Sequence, residues 1–159
     1  MGFDSKAFMS THFVPREEDF QITAPELIKF FGEKDNHFFK LRGLTGYEIG
    51  RVNEKVDNMP LRLKMFEKLI AGRSEEQIKA FEKIAGISKE TPTEIARRIE
   101  HLVISAIDPP ADYQFATKLC EDFGIEFYAI TNKILEISGK GHVPGKPKPS
   151  GGTKKSKPA

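Results

Sequence analysis

From Thr45 onward the chain is cut into helix-length pieces by residues that start and stop helices, and this punctuation limits the fold more than any other feature. Thr45-Gly46-Tyr47-Glu48 is a capping box, in which the Thr hydroxyl and the Glu carboxylate each satisfy an amide left unpaired at a helix start. Ser74-Glu75-Glu76-Gln77 is a second such box. Thr91-Pro92-Thr93-Glu94 offers a Thr cap, Pro at the first helical position and Glu at the third.

Apolar residues follow each start at helical spacing. Ile49, Val52 and Val56 form the first stripe, and Met59-Pro60 interrupts it. Leu61 to Ala71 carries Leu61, Met65 and Leu69 with Leu63, Phe66 and Ile70 one position over, and Gly72 ends it. Ile78, Phe81 and Ile84-Ala85 follow, stopped by Gly86. Ile95, Ile99, Leu102, Val103 and Ala106 predict a long helix that ends before Asp108-Pro109-Pro110, because the residue before Pro disfavours the helical conformation. Asp108 is the expected cap of the next helix, with Phe115-Ala116 and Leu119-Cys120 running to about Phe123. Gly124 separates this from a last helix with Phe127-Tyr128, Thr131 and Ile134-Leu135, and Gly139 is its stop.

The N-terminal part is less regular. Residues 1–20 show no period, and Phe3, Phe8, Phe13 and Phe20 lie among polar residues, so an irregular arm is expected whose rings find cover on the body or on a neighbour. Thr23-Ala24-Pro25-Glu26 opens a short helix to Phe31, closed by Gly32. In His37 to Arg42, Phe39 and Leu41 alternate with Lys40 and Arg42, which predicts a strand.

The expectation is a mainly α fold: a compact bundle of about six helices, one short strand or hairpin near 37–42, and a single domain, since 159 residues supply one sizeable core. It divides into an arm over 1–22, a helical domain over 23–139 and a basic tail over 140–159. The tail has six Lys and no acid, and Gly139 to Ala159 holds five Gly and four Pro. Such a segment buries too little surface to offset its ordering entropy, so disorder is expected. Of the 25 basic residues 19 remain outside the tail, against 23 acidic ones, so the body carries −4.

Several function classes find no support. The lone Cys120 excludes an intrachain disulfide and reads as a small buried hydrophobe. The start has no cationic region followed by an apolar run, Lys6 stands where a myristoylation signal needs Ser or Thr, and no run approaches the roughly 18 apolar residues of a membrane span. His12, His37, His101 and His142 are not paired at ligand spacing with one another or with Cys120, so no metal is expected, and His101 reads as a partly exposed surface residue. Glu17-Glu18-Asp19, Glu75-Glu76 and Glu121-Asp122 are acids adjacent in sequence, and such neighbours point apart on a helix, which suits a solvated face better than a catalytic dyad. Gly139-Lys140-Gly141-His142 lacks the spacing of a phosphate loop, and no nucleophile motif is present. The expectation is therefore a protein without catalytic residues or cofactor. The Lys-rich tail would bind nucleic acid in a salt-sensitive way, but it has no Arg and no aromatic residue to stack on a base. A nucleic-acid-associated adaptor is thus the second reading.

Three segments together resemble the tail assembly chaperones of long-tailed bacteriophages and prophages. They are Phe13-Val14-Pro15-Arg16, then Phe39 through Glu48 with its Arg42-Gly43-Leu44-Thr45-Gly46-Tyr47-Glu48 turn, and Lys118 through Gly141 closing on Ser138-Gly139-Lys140-Gly141. Ser138 stands where such sequences often have Thr, and Cys120 is a second departure. The resemblance implies a chaperone of the host bacterial cytoplasm that holds the hydrophobic, helical tape-measure protein until the tail tube polymerises around it. It also implies a possible homo-oligomer and, in many relatives, a frameshifted longer form that recruits the tail-tube protein, for which the stretch around Lys154-Lys155 is a suitable place. A helical partner needs an apolar groove. Phe38, Phe39, Phe115, Phe127 and Tyr128 are its candidates, although helical spacing predicts burial for most of them first.

Overall fold

The protein is described by a computed structural model over residues 2–32, 36–85 and 91–145. It divides into two units, residues 1–14 with 141–159 and residues 15–140.

In the first unit Asp4 caps a short helix α1 (Ser5–Ser10), its Oδ1 accepting from the Ala7 amide at 3.0 Å. The Phe8 ring lies between those of Phe3 and Phe13, with centroids 5.4 and 5.8 Å away. A two-residue strand β5 (Gly141–His142) pairs with the strand β1 (Val14–Pro15), which begins at the last residue of this unit's N-terminal segment. Part of the segment expected to be a disordered tail therefore forms a strand, because its backbone finds a ladder partner that side-chain composition does not reveal. The rest of that tail, from residue 146, lies outside the described residues.

The second unit corrects the expected mainly α bundle with one short strand or hairpin: the fold is mixed α/β. Of the described residues about 60% are helical and 13% strand, and the centre of this unit is a three-stranded antiparallel sheet in the order β2 (Glu17–Gln21), β3 (Phe38–Arg42), β4 (Ala106–Asp108). β2 was hidden because three of its five residues are acidic, a poor strand composition by propensity. Its register answers that charge: Glu17 faces Arg42 and Asp19 faces Lys40 across the ladder. Phe20 opposite Phe39 supplies the apolar pair. The alternation read in β3 holds, with Phe39 and Leu41 buried and Phe38 and Lys40 exposed.

β4 takes residues expected to belong to a helix or a cap. The helix α6 (Thr93–Ser105) stops at Ser105, and the extended residues ahead of Pro109 join β3 as an edge strand, with an irregularity between Lys40 and Leu41 in the register. Asp112, not Asp108, caps the following helix α7 (Tyr113–Asp122), accepting from the Phe115 amide at 2.7 Å. Likewise Thr91 does not cap α6: Pro92 holds the cap position without a side-chain bond. The short helix α2 (Pro25–Ile28) continues as a 3-10 turn over Lys29–Phe31 and closes at Gly32, φ 64°.

The remaining helices follow the punctuation. Thr45 opens α3 (Gly46–Asp57) with both halves of its capping box formed. α4 (Met59–Ile70) follows with Pro60 in its first turn, and α5 (Glu75–Ala85) starts from reciprocal Ser74–Gln77 bonds of 3.3 Å. The expected Gly86 stop lies outside the described residues. α8 (Gly124–Ile137) packs on β2 and β3, and α6 and α7 pack on α8. The core is this α8–sheet layer: Phe127, Ile130, Ile134 and Ile137 against Ile22, Phe39, Leu41 and Leu44, with Ile99, Leu102 and Leu119 from α6 and α7. Among the described residues no helix is long and apolar enough to cross a membrane.

Candidate partner surface

The turn after β3 is tied to the end of α8. The Gly43 amide donates to the Arg16 carbonyl at 2.7 Å, the Leu44 amide to Ser138 Oγ at 2.9 Å, and the Gly139 amide to the Leu44 carbonyl at 2.9 Å. Gly139 reaches this position with φ 70°, which favours glycine. Segments remote in sequence, Arg16, Arg42 through Glu48 and Ser138-Gly139, thus form one junction.

Arg42 clamps Glu48 with two parallel bonds, Nη1 to Oε1 at 2.8 Å and Nη2 to Oε2 at 2.7 Å. Glu48 Oε1 also accepts from the Thr45 amide at 3.0 Å. The Arg42 bond and then the Thr45 amide favour the ionised form against partial burial, and hold the Glu48 carboxyl down to about 2. Both oxygens of this carboxylate are bonded within the protein, so the junction is a scaffold.

The five aromatic candidates separate into two groups. Phe127 and Phe39 are core, at 0% and 6% exposure, and Phe115 packs half-buried with its ring 6.3 Å from Phe39. These three do not form an open groove. Phe38 stands on the outer face of the sheet and Tyr128 on the outer side of α8, each 37% exposed. Sequence spacing missed Arg98, which lies over the Tyr128 ring at 4.4 Å and donates to Thr131 Oγ1 at 2.7 Å and Asn132 Oδ1 at 2.8 Å. Ile125 and Leu135 extend the exposed side of α8 on either side of Tyr128.

The larger surprise is α4. Leu61, Met65 and Leu69, read as an apolar stripe, are 60%, 60% and 68% exposed. The sequence carries two stripes on this helix, and that doubling is the signal that one of them is surplus to the core. The side chains of the second stripe, Leu63, Phe66 and Ile70, lie outside the described residues.

Polar groups were also displaced from expectation. His101, read as partly exposed, is 3% exposed, and both its ring nitrogens and the buried Ser105 hydroxyl lack a hydrogen-bond partner among the described residues. Burial, then Arg97 and Arg98, push the His101 imidazole below its usual range. Glu100 is buried because Lys55 reaches it at 2.6 Å, while the Tyr113 hydroxyl donates to it at 3.0 Å. Glu18, read as solvated, pairs with Lys133 at 2.7 Å. Cys120 is half-buried at the edge of the core.

No family model matches the chain, and no curated protein or solved structure matches it either.

Proposed function

We propose that this chain is a nonenzymatic tail assembly chaperone of a long-tailed bacteriophage or prophage, working in the host bacterial cytoplasm by binding the tape-measure protein. The observation that carries the reading is the pair of exposed apolar helix faces, Leu61, Met65 and Leu69 on α4 and Ile125, Tyr128 and Leu135 on α8. Large apolar side chains held outward on rigid helices suit the covering of another helix's apolar stripe. The reading is also supported by the convergence of Arg16, the Arg42 to Glu48 turn and Ser138-Gly139, the segments that carry the family resemblance, into one hydrogen-bonded junction. Phe38 and Tyr128 are the aromatic residues retained as partner contacts. Self-association, and recruitment of the tail-tube protein through a frameshifted longer form, belong to the same proposal.

The test is coexpression with the tape-measure candidate, the long open reading frame shortly downstream in a tail operon. The expected result is that the partner becomes soluble only with this chain and copurifies with it. A partner that stays insoluble, with nothing copurifying, overturns the reading. Salt-sensitive DNA binding lost on truncation at residue 140 would replace it with the adaptor reading.

A further inference from the structure

We propose that the exposed ridge Leu61, Met65 and Leu69 of α4, edged by Lys64 and Lys68, is a docking site for an amphipathic helix of another protein whose apolar face is flanked by Asp or Glu. The proposal rests on the chaperone reading for the partner's identity, a segment of the tape-measure protein, and on α4 alone for its chemistry.

The ridge has the geometry of a helix contact. Its residues recur every four positions, so they form a ridge inclined to the helix axis, about 12 Å from first to last at 1.5 Å per residue. Ridges of this kind interdigitate with a second helix crossing at about 50°. Three residues four apart drift by about 80° around the helix at 3.6 residues per turn, so the ridge is a narrow, inclined one. Among the described residues the ridge is uncovered: all three side chains are at least 60% exposed.

Charge decides the occupant. Lys64 and Lys68 are exposed, follow the same edge of the ridge, and outnumber the one acid of α4, Glu67. A basic-edged apolar ridge favours a partner with acidic flanks. A second copy pairing through the same ridge is a poor occupant. Antiparallel self-pairing of α4 sets the Lys64/Lys68 edge against itself.

The test uses the full chain and two synthetic helical peptides of about 20 residues, long enough to hold a helix. Both carry Leu on one face; one has Glu and the other Lys on both flanks. Fluorescence anisotropy is expected to show the Glu-flanked peptide binding at least ~10-fold tighter, with the preference shrinking as salt rises. Met65→Glu with Leu69→Glu is expected to weaken it at least ~10-fold, the loss typical of removing a central anchor. Lys64→Glu with Lys68→Glu is expected to reverse the preference. All four positions are exposed, and unchanged far-UV circular dichroism and melting will show that the variants fold. Equal binding of the two peptides, or binding that neither variant alters, overturns the proposal. So does α4-dependent binding to phosphatidylglycerol vesicles with neither peptide bound, or an α4-dependent dimer in sedimentation. Coexpression separates the two readings. If Met65→Glu with Leu69→Glu still solubilises the tape-measure candidate, the docking site fails and the chaperone stands. If the wild type selects the Glu-flanked peptide but solubilises nothing, the chaperone reading fails and the docking site stands.

Discussion

The backbone carbonyl of Ile137 occupies the space where a side-chain carbon on Gly43 would lie. Gly43 joins β3 to the cap of α3, Ile137 is the last residue of α8, and their close approach lets Leu44 bond both Ser138 and Gly139. Neither backbone can give way without breaking those bonds. Gly43→Ala is expected to destabilise the protein by about 3 kcal/mol, at the upper end for overpacking because the obstacle is main chain. Gly46→Ala, where nothing lies within 4 Å, is expected to be near neutral. Chemical denaturation of both variants checks this, and similar midpoints would refute it.

The Arg42–Glu48 clamp makes stability depend on pH at the acid end. Glu48 is held at about 2 in the fold, against an ordinary value of 4.5. A depressed carboxyl contributes stability that is complete above pH 4.5 and is lost as pH falls towards 2. Because the pair is partly exposed, side chains 27% and 19%, the contribution is about 1–2 kcal/mol, well below what the bare shift implies. Glu48→Gln is expected to remove that part of the acid sensitivity. Urea unfolding at pH 5.5 and 3 compares the two proteins, and identical losses would sink the assignment.

His101 acts in a higher window. Its ordinary value is 6.5, and burial with Arg97 and Arg98 lowers it in the fold. The unfolded chain therefore takes up the proton first, so stability is complete above about pH 6.5 and falls as the pH drops below it, by at most ~1.4 kcal/mol per pH unit. His101→Leu is expected to flatten the stability curve between pH 7.5 and 5. A slope in that range unchanged by the substitution would mean that another group titrates there.

These features were unequally legible in the sequence. Helix starts at Thr45 and Ser74 were readable because a capping box is local chemistry, satisfied within four residues. The alternation of Phe39 and Leu41 was readable for the same reason. β2 was not, since its acids are stabilised by Arg42, Lys40 and Lys133, partners far along the chain. The end of α6 was misplaced because Ala106 continues a helical stripe, and only the β3 edge explains why the chain leaves the helix there. For the partner surface, apolar spacing identified Phe39 and Phe127 equally with Tyr128, because periodicity marks a face without saying what covers it. The same ambiguity hid the exposure of Leu61, Met65 and Leu69.

Lys55 and Glu100 tie α3 to α6 at 2.6 Å, and the Tyr113 hydroxyl on α7 completes the network by accepting from Lys55 at 2.6 Å and donating to Glu100. The Glu100 side chain is 8% exposed and that of Lys55 24%, so removing the cation strands a carboxylate away from water. Lys55→Met is expected to cost about 3 kcal/mol, the lower end for breaking a buried pair because one partner reaches solvent. Removing both charges leaves no stranded ion, so Lys55→Met with Glu100→Leu is expected to recover most of that loss. Tyr113→Phe is expected to cost about 1 kcal/mol, one hydrogen bond's worth. Denaturation of Lys55→Met, Glu100→Leu and the double variant forms a thermodynamic cycle. Additive losses would show that the two charges act independently, and the pair would then not be the brace that holds α3 against α6.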